Sequence, residues 1–317
     1  MICFRLISFL HSSPPPPPGS DRCLADRVKL QFPEVTADRA ELPFVVIERT
    51  RAWAFPDLRA VWDHRELLYF LAWRDVKVKY KQAALGVAWV VLQPFLTMAI
   101  FTLLFGVLLK VPSSGVPYAP FAYAALVPWT FFSAAVTRST LSLASSSHLV
   151  TKVYFPRVIV PTAAVLSGLP DFLISLLLAV PLAAYFGLRP GLGLLLVIPM
   201  ALLAPLAALA LGLWLSALNA RYRDVGIIVP FLLQVGMYAT PVVYGSALLP
   251  ERFRPWLFLN PIAPVVEGFR MALLGERYVP GQPLFALAAG ATLVTLLQLL
   301  TGAVYIHRTE RLLADFI

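Results

Sequence analysis

The chain has 317 residues, of which 59% are hydrophobic and only 14% are charged. Soluble domains carry roughly 25% charged residues, so this composition excludes an ordinary soluble protein and indicates an integral membrane protein. The 26 lysines and arginines outnumber the 17 aspartates and glutamates. They cluster beside apolar segments, which favours a role in membrane orientation over nucleic-acid binding. The two cysteines, Cys3 and Cys23, form no paired framework, so neither a disulfide nor a metal site is expected.

The N-terminal region, residues 1–41, is rich in proline and includes five consecutive prolines at positions 14–18. This composition predicts a disordered cytoplasmic arm. The apolar start is interrupted by Arg5 and lacks a small-residue cleavage site, so we do not expect a cleaved signal peptide. Residues 42–81 then predict a small cytoplasmic cap that leads into an amphipathic helix.

The amphipathic helix is predicted over residues 66–81. Aromatic and apolar side chains recur at helical spacing along and just before it, at Trp62, Tyr69, Trp73, Val76 and Tyr80. Basic residues flank this stripe, where their long side chains can reach the phosphates of a bilayer. The pattern indicates an interface helix on the cytoplasmic membrane surface. A helix packed on a soluble core is the alternative, but no soluble core follows it in the chain.

Six apolar segments follow, each longer than the ~20 residues that a membrane-spanning helix needs. They are residues 82–109, 111–137, 158–188, 190–220, 225–249 and 283–306. We therefore expect an all-α integral membrane protein whose residues 82–317 form a domain with six transmembrane helices. Of the 26 lysines and arginines, 20 fall on the side that holds both termini. The positive-inside rule then places both termini in the cytoplasm.

The largest predicted external loop, residues 250–282, contains another helical pattern. Asn260 followed by Pro261 predicts a helix start, and an apolar helical face follows. The segment is too short and too charged to cross the bilayer. We expect a re-entrant or interfacial helix between spans five and six.

Motifs of common enzyme sites are missing from the sequence. No lysine follows a glycine, so the GxxxxGK[ST] phosphate-binding loop is absent and ATP hydrolysis by that route is not expected. The sequence also has no HExxH, no GxSxG and no cluster of cysteine and histidine. These absences argue against an enzyme.

Asp171 is the one ionisable residue placed deep in a predicted span. Charges in lipid are costly and usually functional, so proton coupling is one interpretation. The structural interpretation is a carboxylate bonded to a neighbouring helix, near a helix start that Pro170 kinks open. A proton-driven transporter normally has more than one such residue, which favours the structural interpretation.

Five segments together resemble the type-2 ABC exporter permeases of the polysaccharide group, which includes the O-antigen, capsule and teichoic-acid exporters. They are residues 65–94, 149–161, 211–225, 238–244 and 259–275, and they follow the order of that family. The resemblance implies a homodimeric pore in which each copy docks a separate ABC-type ATPase subunit. ATP and Mg²⁺ would bind to that partner, and no cofactor would bind to this chain. The cargo would be a lipid-linked polysaccharide, moved outward across the bacterial cytoplasmic (inner) membrane.

The same resemblance implies roles for individual residues. The ATPase-coupling interface maps onto Arg74, Asp75, Lys77 and Tyr80 of the interface helix and onto Tyr154, Phe155, Pro156 and Arg157 of a coupling segment. The cytoplasmic pore rim maps onto Asn219, Arg221, Tyr222, Arg223 and Asp224. The external gate maps onto Asn260, Pro261, Glu267 and Arg270.

Three alternative functions remain open from the sequence. A type-2 ABC permease of this kind could carry a drug, haem or a small lipid instead of a polymer. A proton-coupled transporter would use Asp171 as its intramembrane carboxylate. A membrane-embedded glycosyltransferase would need paired exposed carboxylates or a histidine-rich loop, and neither occurs in the sequence.

Overall fold

The computed structural model describes residues 58–81, 87–113, 115–152, 155–188, 192–275 and 283–316. Within these residues the chain is mostly helical and contains no strand. The predicted proline-rich arm and the first part of the predicted cap, up to residue 57, lie outside the described residues. The prediction of an all-α membrane protein therefore agrees with the part of the chain that is described.

Two helices precede the first span in the part of the chain that the structure describes. Helix α1 covers Leu58–Asp63 and α2 covers Arg65–Lys81, which matches the predicted interface helix within one residue. The side chains of Trp62, Tyr69 and Trp73 are exposed, whereas Leu71 is buried against the rest of the protein. Helix α2 thus rests on the protein through one side and leaves Tyr69 and Trp73 of the aromatic stripe uncovered, as expected of a helix whose other contact is a membrane surface, whereas Tyr80 is part-buried.

Five helices in the described chain are long and apolar enough to cross a membrane. They are Ala88–Leu108, Tyr118–Ser145, Ile159–Tyr185, Gly193–Arg221 and Ala288–Thr309. The first comprises α3, Val87–Phe101, and a π-helical continuation, Thr102–Leu108. The second is the single helix α4, Tyr118–Ser145. It extends eight residues past the predicted end at position 137 and so includes Arg138, which the sequence pattern had placed in a loop.

The third span is broken near its N-terminal end. Helix α6 covers Ile159–Leu166 and α7 covers Leu169–Tyr185, with Ser167 and Gly168 in a turn between them. Pro170 lies in the first turn of α7, where its missing N–H costs nothing. A short helix α5, Ser147–Lys152, lies between α4 and this span in the chain. The predicted coupling segment therefore contains the short helix α5, and its described residues Phe155 and Pro156 lie outside any helix.

The fifth predicted span is shorter than expected. Helix α8, Val197–Arg221, is followed by α9, Val225–Ala239, which ends ten residues before the predicted boundary at 249. Thr240 is extended because it precedes Pro241, and a residue before proline is disfavoured in helical conformation. The 15 residues of α9 span about 22 Å, which is less than the ~30 Å hydrocarbon core.

Helix α4 lies at the centre of the fold. It packs against α3, α6, α7, α8, α9 and α10, and most of its side chains are buried. Helix α10 covers Ala263–Leu274 and α11 covers Leu284–Phe316. The whole of α10 except Met271 is buried, so it is a helix inside the bundle rather than one lying on its outer surface.

Candidate functional site

The C-terminal end of α2 is tied to the third span. Lys79 donates a hydrogen bond to one carboxylate oxygen of Asp171, and the Tyr80 hydroxyl donates to the other. Asp171 lies 92 positions from Lys79 and 91 positions from Tyr80 in the sequence. Burial and the adjacent Asp171 carboxylate together raise the pKa of the Tyr80 phenol, so it stays protonated and remains a donor. Asp171 is therefore bonded to a cation and a hydroxyl of the interface helix.

Further back on α2, the predicted coupling residues Arg74 and Asp75 bind each other. The Arg74 guanidinium donates from both Nε and Nη2 to Oδ1 of Asp75, at 3.1 and 2.9 Å. The pair is exposed, and exposed pairs contribute only about 0–1 kcal/mol to stability. Lys77 lies over the ring of Trp73 at 5.7 Å. These contacts of Arg74 and Lys77 are thus to neighbouring residues of α2 and not to the protein's core.

A cavity of about 660 Å³ lies between α3, α4 and α7. Its walls combine aromatic rings with small hydroxyl and amide groups. The rings belong to Trp89, Phe131 and Phe172, and the polar groups to Gln93, Thr97, Thr130 and Ser175. Lys79, Asp171 and Arg138 line it as well. We call this space the inner cavity.

A second cavity, of about 780 Å³, lies between α2, α4, α5 and α6. It is lined by Arg74, Asp75 and His148 and by a group of serines, Ser142, Ser145, Ser146 and Ser167. Lys79 and Arg138 line this cavity too. We call it the outer cavity, because it opens among the elements that are predicted to face the ATPase.

The coupling segment is anchored through Phe155. This side chain is buried in an apolar cluster with Leu71 of α2, Leu143 of α4 and Ile159 of α6. Phe155 is therefore a hydrophobic anchor within the protein, and Pro156 and Arg157 beside it are part-buried. Tyr154, the other predicted coupling residue, lies outside the described residues.

The predicted pore rim forms a tight turn between α8 and α9. Asn219 is buried, and its Oδ1 atom has no hydrogen-bond partner among the described residues. Arg221 stacks over the ring of Tyr222 at 5.1 Å. Arg223 and Asp224 are exposed, and their carbonyl oxygens accept backbone hydrogen bonds from the first turn of α9. The rim thus exposes its charged residues and buries its amide.

The external helix starts later than the sequence predicted. Helix α10 begins at Ala263 with Pro264 in its first turn, so Asn260 and Pro261 lie before it. Asn260 instead forms a turn, in which its Oδ1 accepts from the N–H of Ile262 at 3.2 Å and its Nδ2 donates to Thr240 at 2.9 Å. The predicted cap position was wrong because asparagine closes the preceding turn as readily as it caps a helix.

Glu267 and Arg270 of α10 are fully buried and lie 3.4 Å apart. The Arg270 guanidinium donates to the carbonyl oxygens of Pro241 and Tyr244 at 2.5 and 2.8 Å and to that of Val242 at 2.6 Å. It also lies 3.8 Å from the centre of the Phe121 ring. These two residues therefore hold the non-helical segment after α9 in place. Their side chains do not line either cavity described above.

Two features of the site escaped the sequence analysis. Arg138 was treated as a loop residue because a charge usually ends an apolar segment, yet it lies inside α4 and between the cavities. Lys79 was noted only as a flanking cation, although it is the ionic partner of Asp171. The unusual depth of Asp171 was the available signal that a cation had to approach it.

Comparison with known proteins assigns the chain to a class. Residues 66–274 match the sequence model of the ABC-2 type transporter family. The match covers most of the chain and includes both cavities and α10, so the chain belongs to the ABC-2 type transporter family. The resemblance predicted from the five sequence segments is confirmed.

Several relatives within this class are similar along most of their length. The O-antigen export system permease protein RfbA of Myxococcus xanthus is 33% identical over 73% of this chain and 89% of its own. The protein of the same name in Klebsiella pneumoniae is 27% identical over 68% of this chain and 84% of its own. The polysialic acid transport protein KpsM of Escherichia coli is 24% identical over 76% and 93%, respectively.

Proposed function

We propose that this chain is the permease subunit of an ATP-driven exporter that moves a lipid-linked polysaccharide outward across the bacterial cytoplasmic membrane. The observation that carries the proposal is the similarity to O-antigen export permeases over most of both chains. Two copies of the chain would form the pore, and each would dock one ABC-type ATPase that binds ATP and Mg²⁺.

The chemistry of the inner cavity suits a sugar polymer. Thr97 and Thr130 already donate their hydroxyl protons to backbone carbonyls of their own helices, at 2.9 and 2.8 Å. Their oxygens can therefore accept further hydrogen bonds, while the sugar supplies the donor. The rings of Trp89 and Phe131 offer apolar faces for the C–H surface of a pyranose ring. Weak contacts of this kind suit a cargo that must slide, because a tight site would stall it.

The coupling route follows from the elements around the outer cavity. ATP binding would close the two partner subunits against α2 and α5. Because Phe155 and Leu71 share one buried cluster, a push on the coupling segment would move α2 and α6 together. Arg74 and Asp75 are exposed and ready for contact with the partner.

The external side would be closed by the region around α10. In this proposal α9 is the fifth of six spans, its short length completed by the non-helical residues 240–245, and α10 is re-entrant. Non-helical backbone is tolerated at membrane depth where it is buried in protein and its carbonyls are satisfied. Arg270 and the Tyr118 hydroxyl satisfy the carbonyls of residues 241–244. The gate role predicted for Glu267 and Arg270 would be exerted through this segment and not through contact with the cargo.

Deletion of the gene in its host tests the proposal. We expect the surface polysaccharide, detected on intact cells with a lectin or antiserum, to disappear and its lipid-linked precursor to accumulate inside. A plasmid copy of this chain should restore export, and it should fail to do so when the ATP-binding lysine of the partner ATPase is replaced. Unchanged surface polysaccharide together with a new sensitivity to a drug or haem would favour the small-molecule alternative.

A further inference from the structure

The inner and outer cavities meet at two cations. Lys79 and Arg138 line both cavities, whereas Asp171 and Tyr80 line the inner one only. The bond from Lys79 to Asp171 therefore lies where the two spaces adjoin, and the bond from Tyr80 to Asp171 lies beside it on the inner side. The outer cavity faces the predicted ATPase side, and the inner cavity extends between the spans.

Arg138, the second cation at this boundary, packs closely against the third span. Its Nε atom donates to the carbonyl of Ala164 at 3.4 Å, near the break between α6 and α7. A Cβ atom at Gly168 would come within 2.1 Å of the Arg138 guanidinium, so a larger residue there would push the guanidinium out of this position. Arg138 is therefore held by the third span, whereas Lys79 belongs to the helix that is expected to move.

The contact between Lys79 and Asp171 is an ion pair that water can reach. Lys79 is 46% exposed and Asp171 is 24% exposed, so the ion pair is partly hydrated on the cavity side. Water in the cavities can solvate both charges if they separate, which makes the contact far easier to open than a dry ion pair. A buried apolar contact at the same place would not be weakened by removal of a charge.

We propose that Lys79, Tyr80 and Asp171 form a latch that closes the passage between the outer and inner cavities and opens when α2 moves away from α7. Asp171 is then a positioning residue, and its partner is the interface helix of the same chain. The consequence for export rests on the proposed function, since a closed latch would keep the cargo path shut until the ATPases push on α2. The passage itself can be measured without any cargo.

The test measures how fast a cysteine in each cavity reacts from the cytoplasmic side. Ser175→Cys reports on the inner cavity and Ser145→Cys on the outer one, both in a chain whose Cys3 and Cys23 are replaced by serine. The full chain, with its co-expressed ATPase, is labelled in inside-out vesicles without ATP by a water-soluble, membrane-impermeant maleimide. Asp63→Asn, an exposed carboxylate at the end of α1, serves as the matched control.

We expect Asp171→Asn and Lys79→Met each to speed labelling at position 175 by about fivefold, which corresponds to about 1 kcal/mol. Labelling at position 145 and in the Asp63→Asn control should not change. The charge-swapped variant Lys79→Asp/Asp171→Lys should return position 175 to slow labelling, because the pair is re-formed with the signs exchanged.

The proposal is overturned if Lys79→Met and Asp171→Asn leave the labelling rate at position 175 unchanged, or if the charge-swapped variant stays fast. Should Asp171→Asn fail to accumulate, Lys79→Met and the swapped variant still decide the matter. A proton-coupling role would require the carboxylate on α7 itself, so export by the swapped variant argues against it. Loss of surface polysaccharide is scored separately, which keeps failure of the latch distinct from failure of the export function.

Discussion

The buried ion pair of α10 shows how single residues hold an irregular backbone inside this protein. Arg270 and Glu267 are both fully buried, and Arg270 donates to three carbonyls of the segment that follows α9. The planar guanidinium presents five N–H donors in a fixed fork, whereas an ammonium group has only three. The Glu267 carboxylate balances the charge and accepts from the N–H of Ser246 at 3.3 Å. The arrangement is an internal brace.

Replacing Arg270 with methionine should strongly destabilise the chain. The change removes the cation beside the buried Glu267 carboxylate and takes the guanidinium from the carbonyls of Pro241, Val242 and Tyr244, so we expect a loss of about 3–5 kcal/mol. Chemical unfolding in detergent micelles measures it. Arg270→Lys should cost less, and adding Glu267→Gln to Arg270→Met should recover part of the loss.

Arg252 offers the control for that experiment. It is exposed and lies over the ring of Phe253, so Arg252→Met should stay within about 0.5 kcal/mol of the parent chain. If Arg270→Met were as mild as Arg252→Met, the brace would not contribute to stability.

At the scale of elements, two parts of α2 have different roles. The C-terminal end binds Asp171, and the middle exposes the Arg74–Asp75 pair. The buried cluster beneath the helix joins it to the coupling segment through Leu71 and Phe155. An exposed pair contributes little to stability, so its charges can serve a partner without weakening the fold.

Replacing Arg74 with glutamine and Asp75 with asparagine together should uncouple ATP hydrolysis from export. We expect unchanged protein level and unfolding midpoint, because the pair is exposed, but a several-fold loss of exported polysaccharide per ATP hydrolysed. Both quantities are measured with the co-expressed ATPase. The double variant Asp63→Asn/Arg65→Gln changes a similar exposed pair of charges and should keep normal coupling. Normal export by the Arg74/Asp75 variant would contradict the assigned interface.

For the whole molecule, the number of membrane crossings depends on α9. Five described helices are long enough to span, and α9 is an apolar helix of 15 residues. Its exposed side chains include Ile227, Phe231 and Val235, and none of its residues is charged. If α9 crosses, positions 223 and 252 lie on opposite sides of the membrane; if it does not, they lie on the same side.

Reporter fusions distinguish six crossings from five. Alkaline phosphatase folds only outside the cytoplasm. A fusion after Arg252 should therefore be active, and a fusion after Arg223 should be inactive. Green fluorescent protein at the C-terminus should fluoresce, since the positive-inside rule predicts that both termini lie in the cytoplasm. An inactive phosphatase after Arg252 combined with a dark C-terminal fusion would show that α9 does not cross.

Several features of the protein follow from its sequence alone. The membrane class, the interface helix over residues 66–81 and most of the span positions depend on hydropathy, helical spacing and charge, which are properties of neighbouring residues. The family resemblance also rests on local segments, and residues 66–274 match the ABC-2 type transporter family. These predictions needed no knowledge of how the helices pack.

The tertiary structure decided which distant groups meet. Asp171 was singled out by its depth, but Lys79 and Tyr80 as its partners follow only from the approach of α2 to α7. Arg138 sits inside a span because Gly168 lets it lie against the break in the third span. Arg270 became a brace because the helix before Pro241 stops short and leaves carbonyls to satisfy. Local patterns carry no information on such pairings, since a buried charge depends for its stability on partners that helix packing brings from elsewhere in the chain.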